Sequence, residues 1–439
     1  MIRKDILLAL ASFLAAVPCL ASEQNASDAE LSAKIDLPQL VSYALVHNPE
    51  IQAMEQRWRA AKARPPQEGA LPDPMLNTSY HNEGFEDLNL GSADFSFLRI
   101  GGEQEFPFPG KLALRETRAL RDADRDGAIY YATRLSVRSR LRLAYNDYYV
   151  AGKSIEVVTN NKQILDKLAR AAESRYGVGE GLQQDVARSQ VELSILVGRL
   201  ASLEQARQSA AAEVNKLLNR PPSAPLGVPA AVEKPRLAYS LEQLEHLATE
   251  RSPILQAAGF QVASSEANLA LAKRQYYPDF VVRVDYFNKG DLTPEWEVGL
   301  GVRVPLYFWK KQANGVSEAA ASVGESHANR QSTSQEVLAK LRDVYAQATS
   351  AERLVELYGA VVRPQAELAL ESALAAYRVG KVDYLSVLNS FTVLNDYRVR
   401  YYEELAAFDK AVAQIEELAG IGLDDQPDPA KRGGSHDRR

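Results

Sequence analysis

Four short stretches of the chain alternate apolar and polar residues with a period of two. In the last, Trp296, Val298, Leu300, Val302, Val304 and Leu306 share one side, and Glu295, Glu297, Gly299, Gly301 and Arg303 share the other. The stretch before it sets Phe280, Val282, Val284 and Tyr286 against Arg283 and Asp285. Two weaker copies occur earlier. Leu76, Thr78 and Tyr80 oppose Asn77, Ser79 and His81, and Leu98 and Ile100 oppose Arg99, Glu103 and Glu105. This period predicts strands with one apolar and one charged face. Such a strand suits the half-buried sheet of a soluble domain. It also suits the wall of a membrane barrel, with lipid outside and water inside. Strands of about ten residues favour the barrel, as do aromatic residues at their ends: Tyr80, Phe106, Phe287, Trp296, Tyr307, Phe308 and Trp309. Four strands cannot close a barrel, and an open sheet in lipid leaves unpaired backbone at both edges. On that reading the chain must oligomerise.

The other pattern is helical and very long. From Lys111 to about Ser174 there is no proline, and the only glycines are Gly127 and Gly152. A helix of that extent would be about 95 Å long at 1.5 Å per residue. The stretch from Gln312 to Val362 is similar. Leu405, Phe408, Val412, Ile415 and Ala419 step by three and four residues, the spacing of a packed coiled-coil seam.

The chain is also duplicated. Leu37, Leu40, Ala44, Pro49, Gln52 and Ala53 align with Leu241, Leu244, Ala248, Pro253, Gln256 and Ala257. Farther on, Phe106-Pro107 matches Val304-Pro305, and Tyr176-Gly177-Val178-Gly179 matches Tyr377-Arg378-Val379-Gly380. Each half reads as short helix, helix, two strands, very long helix, turn and long helix. The boundaries this suggests are 22–218 for the first repeat and 241–423 for the second. Between them residues 219–240 carry Pro221, Pro222, Pro225, Pro229 and Pro235 and read as an extended linker. The polar tail 424–439 reads as disordered.

Composition narrows the setting. Residues 1–21 have the form of a secretory signal: Arg3 and Lys4, an apolar run from Ile6 to Val17, then Cys19-Leu20-Ala21 before Ser22. Lipidation of Cys19 is the alternative, although Pro18 stands where a lipobox wants a small residue. After cleavage the chain holds no cysteine, which excludes disulfides and thiolate chemistry. The formal net charge of −6 for the whole chain becomes −7 without Arg3, Lys4 and Asp5, a poor balance for nucleic acid. His47, His81, His246, His327 and His436 have no ligand spacing, and no glycine-rich loop joins a strand to a helix. The mature methionines are only Met54 and Met75, which argues against a methionine-lined copper path. The sequence thus predicts neither a catalytic site nor a cofactor nor a bound metal.

The duplication, the paired turns Tyr176-x-x-Gly179 and Tyr377-x-x-Gly380, and the strand-to-helix run Gln104-Glu105-Phe106-Pro107-Phe108-Pro109-Gly110-Lys111 together resemble the TolC-like outer-membrane factor family. The resemblance runs from about Asp36 to Leu423. It implies a mixed α+β membrane protein of Gram-negative bacteria. Three protomers would each give four strands to one 12-stranded barrel, continued by a coiled-coil helical tunnel in the periplasm. It implies as partners a periplasmic adaptor, an inner-membrane pump of the resistance-nodulation-division type, and outer-membrane lipid. The proline-rich strand exit is similar to that of heavy-metal efflux members. Organic compounds or secreted proteins are the alternative cargo, and a soluble periplasmic coiled-coil scaffold is the alternative of another class.

The resemblance also implies a periplasmic tip for gating and adaptor docking, made by Tyr176, Gly177, Gly179, Asp185, Tyr377, Gly380, Lys381 and Asp383. Where the family carries an arginine two residues after the second-turn glycine, this chain has Val382. Asp185 can equally serve only to favour the first turn of its helix, and Tyr377 only to pack under its loop. The lipid face of the barrel is expected at Val298, Leu300 and Val302.

Overall fold

The computed structural model describes residues 34–85, 88–237 and 239–421. The expected signal segment, Cys19 and the tail 424–439 lie outside them. The first half runs β1 (Lys34–Ile35), α1 (Leu37–His47), α2 (Pro49–Lys62), α3 (Arg64–Glu68), β2 (Met75–His81), β3 (Phe97–Phe106), α4 (Lys111–Gly177) and α5 (Gln183–Leu217). After β4 (Val228–Pro229) the second half runs α6 (Leu241–Arg251), α7 (Pro253–Arg274), β5 (Asp279–Asn288), β6 (Glu295–Arg303) and α8 (Lys311–Leu357). A π-helical turn at Tyr358–Val362, then α9 (Arg363–Arg378) and α10 (Tyr384–Ala419), complete it. The chain divides into two compact units, each drawn from both halves.

The unit formed by Ala53–Ala132 and Ser252–Glu336 holds the four-stranded sheet. Two antiparallel hairpins, β2–β3 and β5–β6, join through β3 and β5, with Phe106 paired to Phe280 and Leu98 to Asn288. Directly paired residues point to one side of a sheet, so this register fuses four alternating patterns into two continuous faces. On the apolar face Leu76, Trp296 and Leu300 are 83%, 76% and 81% exposed. The opposite face carries cross-strand ion pairs between Arg99 and Asp285 (3.2 Å), Arg283 and Glu103 (2.9 Å), and Arg303 and Glu105 (2.8 Å). Gly101 makes room for the first of these. A Cβ there would lie 1.9 Å from the Asp285 Oδ1. Strand β6 ends at Arg303, so Val304 and Leu306, which continue the alternation, lie beyond the sheet.

The junction of strand and helix is tied by one carboxylate. Asp279 accepts hydrogen bonds from the Phe108 backbone N–H and from Lys111 Nζ, both at 2.7 Å. Lys111 is almost wholly buried, and its Nζ also donates to the Tyr277 carbonyl at 2.9 Å, so the buried group has two partners. Helix α4, which it opens, is one uninterrupted element of 67 residues, about 100 Å at 1.5 Å per residue.

The second unit takes in Thr133–Arg251 together with the described residues before 53 and after 336. Leu405, Phe408, Val412, Ile415 and Ala419 on α10 are all buried, as their spacing predicts. Beside them lies a charged cluster that spacing does not reveal. Arg142 donates to both oxygens of Asp409 (2.9 and 2.6 Å) and to Glu416 (3.1 Å), which also accepts from Arg138 at 3.1 Å. Burial pushes the Glu416 carboxyl above its usual range, against the pull of Arg142 and Arg138.

The duplication is visible in how the helices end. Asn219 and Gly420 both have positive φ, 58° and 69°. The next residue in each case donates back to a helix carbonyl, Arg220 to Asn215 at 2.8 Å and Ile421 to Glu416 at 3.0 Å. The long helices differ between halves. Pro364 cannot donate a backbone hydrogen bond and would be expected to end the second one. Instead the wider turn at Tyr358–Val362 absorbs the missing bond, and α9 continues to Arg378.

Candidate functional site

The two helix turns share one hydrogen-bonding scheme. After α4, the Gly179 N–H donates to the Tyr176 carbonyl (3.0 Å) and Glu180 N–H to that of Arg175 (2.9 Å). After α9, Gly380 donates to Tyr377 (3.1 Å) and Lys381 to Ala376 (2.9 Å). Both central glycines are left-handed, with φ of 78° and 70°, the conformation a helix stop of this kind requires. Glu180 and Lys381 are therefore equivalent positions of opposite charge.

The restart of the following helix is not equivalent. Asp383 caps α10, accepting from the Ser386 N–H at 2.9 Å and the Ser386 hydroxyl at 2.5 Å. These two bonds, helped by Arg188, hold the Asp383 carboxyl below the usual aspartate range. At the matching position α5 has Leu182, which supplies no cap. Asp185 sits in the first turn of α5, where a negative charge meets the positive end of the helix dipole.

A cleft of about 320 Å³ opens between the turns. Of the residues expected at the tip, it is lined by Asp185, Tyr377, Gly380 and Asp383. Tyr176, Gly177, Gly179 and Lys381 belong to the turns but do not line it. Sequence reasoning missed Arg175 and Arg188, which do line it, so the cleft carries both signs of charge. It also missed Tyr384, which is fully buried. The Tyr384 hydroxyl lies 2.6 Å from Ser189 Oγ, which in turn bonds the Asp185 carbonyl at 2.8 Å. Tyr377 meets Tyr384 edge-on with ring centroids 5.9 Å apart, and the Arg175 guanidinium lies 5.0 Å from the Tyr377 centroid. Beneath the cleft Tyr384 joins Val158, Leu165, Leu196, Leu388 and Phe391 in one apolar cluster. Around it Tyr176, Val178, Leu182 and Val379 are exposed, an apolar rim of the sort that marks a docking surface. A search for aromatic residues immediately after a capping position would have found Tyr384, which follows Asp383. The ring pair itself depends on how the helices pack.

Among the described residues no group of three or more His, Cys, Asp or Glu is placed to hold a metal ion, and no helix is long and apolar enough to cross a membrane.

Comparison with known proteins is consistent along the chain. A family model described as outer membrane efflux protein matches residues 40–220 and 244–421. The cobalt-zinc-cadmium resistance protein CzcC of Cupriavidus metallidurans is 24% identical over 319 residues, covering 71% of this chain and 74% of that protein. Among solved structures, the outer-membrane channel OprN superposes with a TM-score of 0.76 at 18% identity, over 89% of this chain and 91% of that one. CusC superposes with a TM-score of 0.75 at 15% identity, over 88% and 92%.

Proposed function

The chain belongs to the outer membrane efflux protein family, and we propose that its cargo is a divalent heavy-metal cation of the cobalt, zinc and cadmium class. The family makes it a subunit of an outer-membrane exit channel that extends into the periplasm, and not an enzyme. Channels of the family are trimers that work with a periplasmic adaptor and an inner-membrane pump. The cargo reading rests on one observation, the similarity to CzcC over most of both chains. In this reading the pump is of the resistance-nodulation-division type.

The repeats occupy 22–218 and 241–423, joined by the linker 219–240, and residues 1–21 are removed on export. Val298, Leu300 and Val302 face lipid. Their exposure in a single protomer supports this, because a face that apolar is costly in water. The paired turns form the periplasmic tip. Its exposed apolar rim receives the adaptor, and Asp185, Tyr377 and Asp383, with Arg175 and Arg188, line the closing cleft. Glu180 and Lys381 meet the adaptor with opposite charges.

Deleting the gene in its own host tests the cargo. Cells without the channel should retain more zinc, cobalt and cadmium and tolerate less of each, with tolerance restored by the intact gene. Unchanged metal tolerance together with increased sensitivity to dyes or detergents would assign the channel to organic cargo instead.

A further inference from the structure

The charged face of the sheet does not carry charged residues alone. At the end where the hairpins turn, it carries three aromatic rings. His81 stacks on its strand partner Phe97, with centroids 5.2 Å apart, and Phe97 meets Phe287 edge-on at 5.0 Å. The register places all three on the side of Arg99 and Asp285, because Arg99 pairs directly with Phe287. Arg99 and Glu295 lie in the row of Phe287. Going toward the helices, the same face continues with Asp285, which pairs with Arg99, then Arg283–Glu103, then Arg303–Glu105. Lipid-facing aromatics cannot account for these rings. That role falls on the other face to Tyr80, Tyr286 and Trp296, at the same depth.

We infer that His81, Phe97 and Phe287 form an aromatic collar on the water side of the channel, a constriction at its outer mouth. The inference rests on the barrel reading above, in which the charged face lines the lumen. Strands β3 and β6 lead into long helices at their other end, so the collar lies at the end remote from the helix junction. Each protomer of a closed barrel supplies the same rings at the same depth. Aromatic surface facing water is unfavourable, and rings gain from meeting edge-on or offset. Arg99 and Glu295 lie in the same cross-strand row as Phe287, so the collar narrows the path by the bulk of its rings while charge remains on its wall. A narrowing of this kind excludes bulky solutes more than small ions. Its function is a size filter against solutes entering from outside, separate from the periplasmic tip.

The test reads accessibility below the collar, where a closed tip has no influence. Asn77 lies on the same face as His81, four residues deeper on β2. The Asn77→Cys variant is labelled on intact cells with a small cationic methanethiosulfonate and with a maleimide carrying a long polyethylene glycol, the unsubstituted chain serving as blank. With the rings intact the small reagent should react and the large one should not. Adding Phe97→Ala and Phe287→Ala should raise the large-reagent rate about tenfold and leave the small-reagent rate nearly unchanged. Equal reaction of both reagents with the rings intact would overturn the collar, whether or not the alanine variant assembles. So would an unchanged size cut-off in an assembled alanine variant. If the small reagent fails at Asn77→Cys but reacts at Leu76→Cys, the lumen assignment itself is wrong.

Discussion

The sheet and the helix turns treat the same duplication in opposite ways. In the sheet the two copies cooperate: strands from both halves align so that apolar positions make one face and charged positions the other. In the turns the copies keep only the backbone. Gly179 and Gly380 hold the same left-handed conformation, while Glu180 faces Lys381 in the repeat register and Leu182 stands where Asp383 caps. The difference follows from the solvent. On the proposed reading the apolar face meets lipid, which accepts no charge on any strand, so every copy is constrained at every second residue. A helix stop in water constrains one residue, the glycine. The rest is free to diverge, which lets two equivalent turns present different charges to a partner.

The largest effect should come from violating the lipid face. Leu300→Arg should cost about 2–4 kcal/mol near the middle of the membrane and sharply reduce the heat-modifiable trimer in outer-membrane fractions. Charge at Gly299, on the other face, should be milder. Equal loss at both positions would erase the distinction between the faces.

Next come the glycines. A valine at Gly179 or Gly380 must adopt a left-handed backbone, at about 1–3 kcal/mol. Both variants should still insert as trimers but export poorly and capture less adaptor in pull-downs. If only one of the two has this effect, the turns are not equivalent docking elements.

Capping should separate the turns more finely. Asp383→Ala should speed amide exchange at Ser386 and its neighbours, whereas Leu182→Ala should leave the start of α5 unchanged. The pH response has a definite sign. The folded Asp383 carboxyl lies below its ordinary value, so its stabilisation is complete above the usual aspartate range. It is lost as pH falls through the lowered value. Exchange at Ser386, corrected for its intrinsic rate, should rise on acidification, and Asp383→Ala should remove that rise.

The smallest expected effect is electrostatic. Glu180→Lys and Lys381→Glu should shift cation selectivity in opposite directions in single-channel recordings at low salt, and the shifts should fade as screening increases. Shifts of the same sign would mean that the two positions do not share one path.

Much of this was legible in the residues. The alternation at Trp296–Val302 and Phe280–Tyr286 needs no tertiary knowledge, because a period of two has one structural solution. Long helices announce themselves by the absence of proline, and the turns by Tyr-x-x-Gly. What escaped were features that exist only once elements meet. The Arg99–Asp285 pair requires the β3–β5 register, and the Arg142–Asp409–Glu416 cluster joins residues far apart in sequence. Phe287 reads as one more interfacial aromatic at a strand end; the alternation already puts it on the side of Arg283 and Asp285, and its contact with Phe97 appears only once β3 and β5 meet. Arg175 and Arg188 look like solvated charges until the cleft between the turns is seen. The wider turn at Tyr358–Val362, which accommodates Pro364 within the helical run, leaves no mark in the residue pattern.

The pairing of β3 with β5 has a consequence for the order in which the chain can mature. Phe106 finds its partner only when Phe280 has been made and exported. Until then the β2–β3 hairpin has no neighbour on either edge. Bringing such distant segments together carries a loop-closure cost and slows folding, and open strand edges invite pairing with other chains. Export of the first half alone should therefore yield an aggregation-prone fragment instead of half a channel. If a periplasmic factor shields the open hairpin during the interval, depleting such factors should lower channel abundance before any effect on the finished trimer appears.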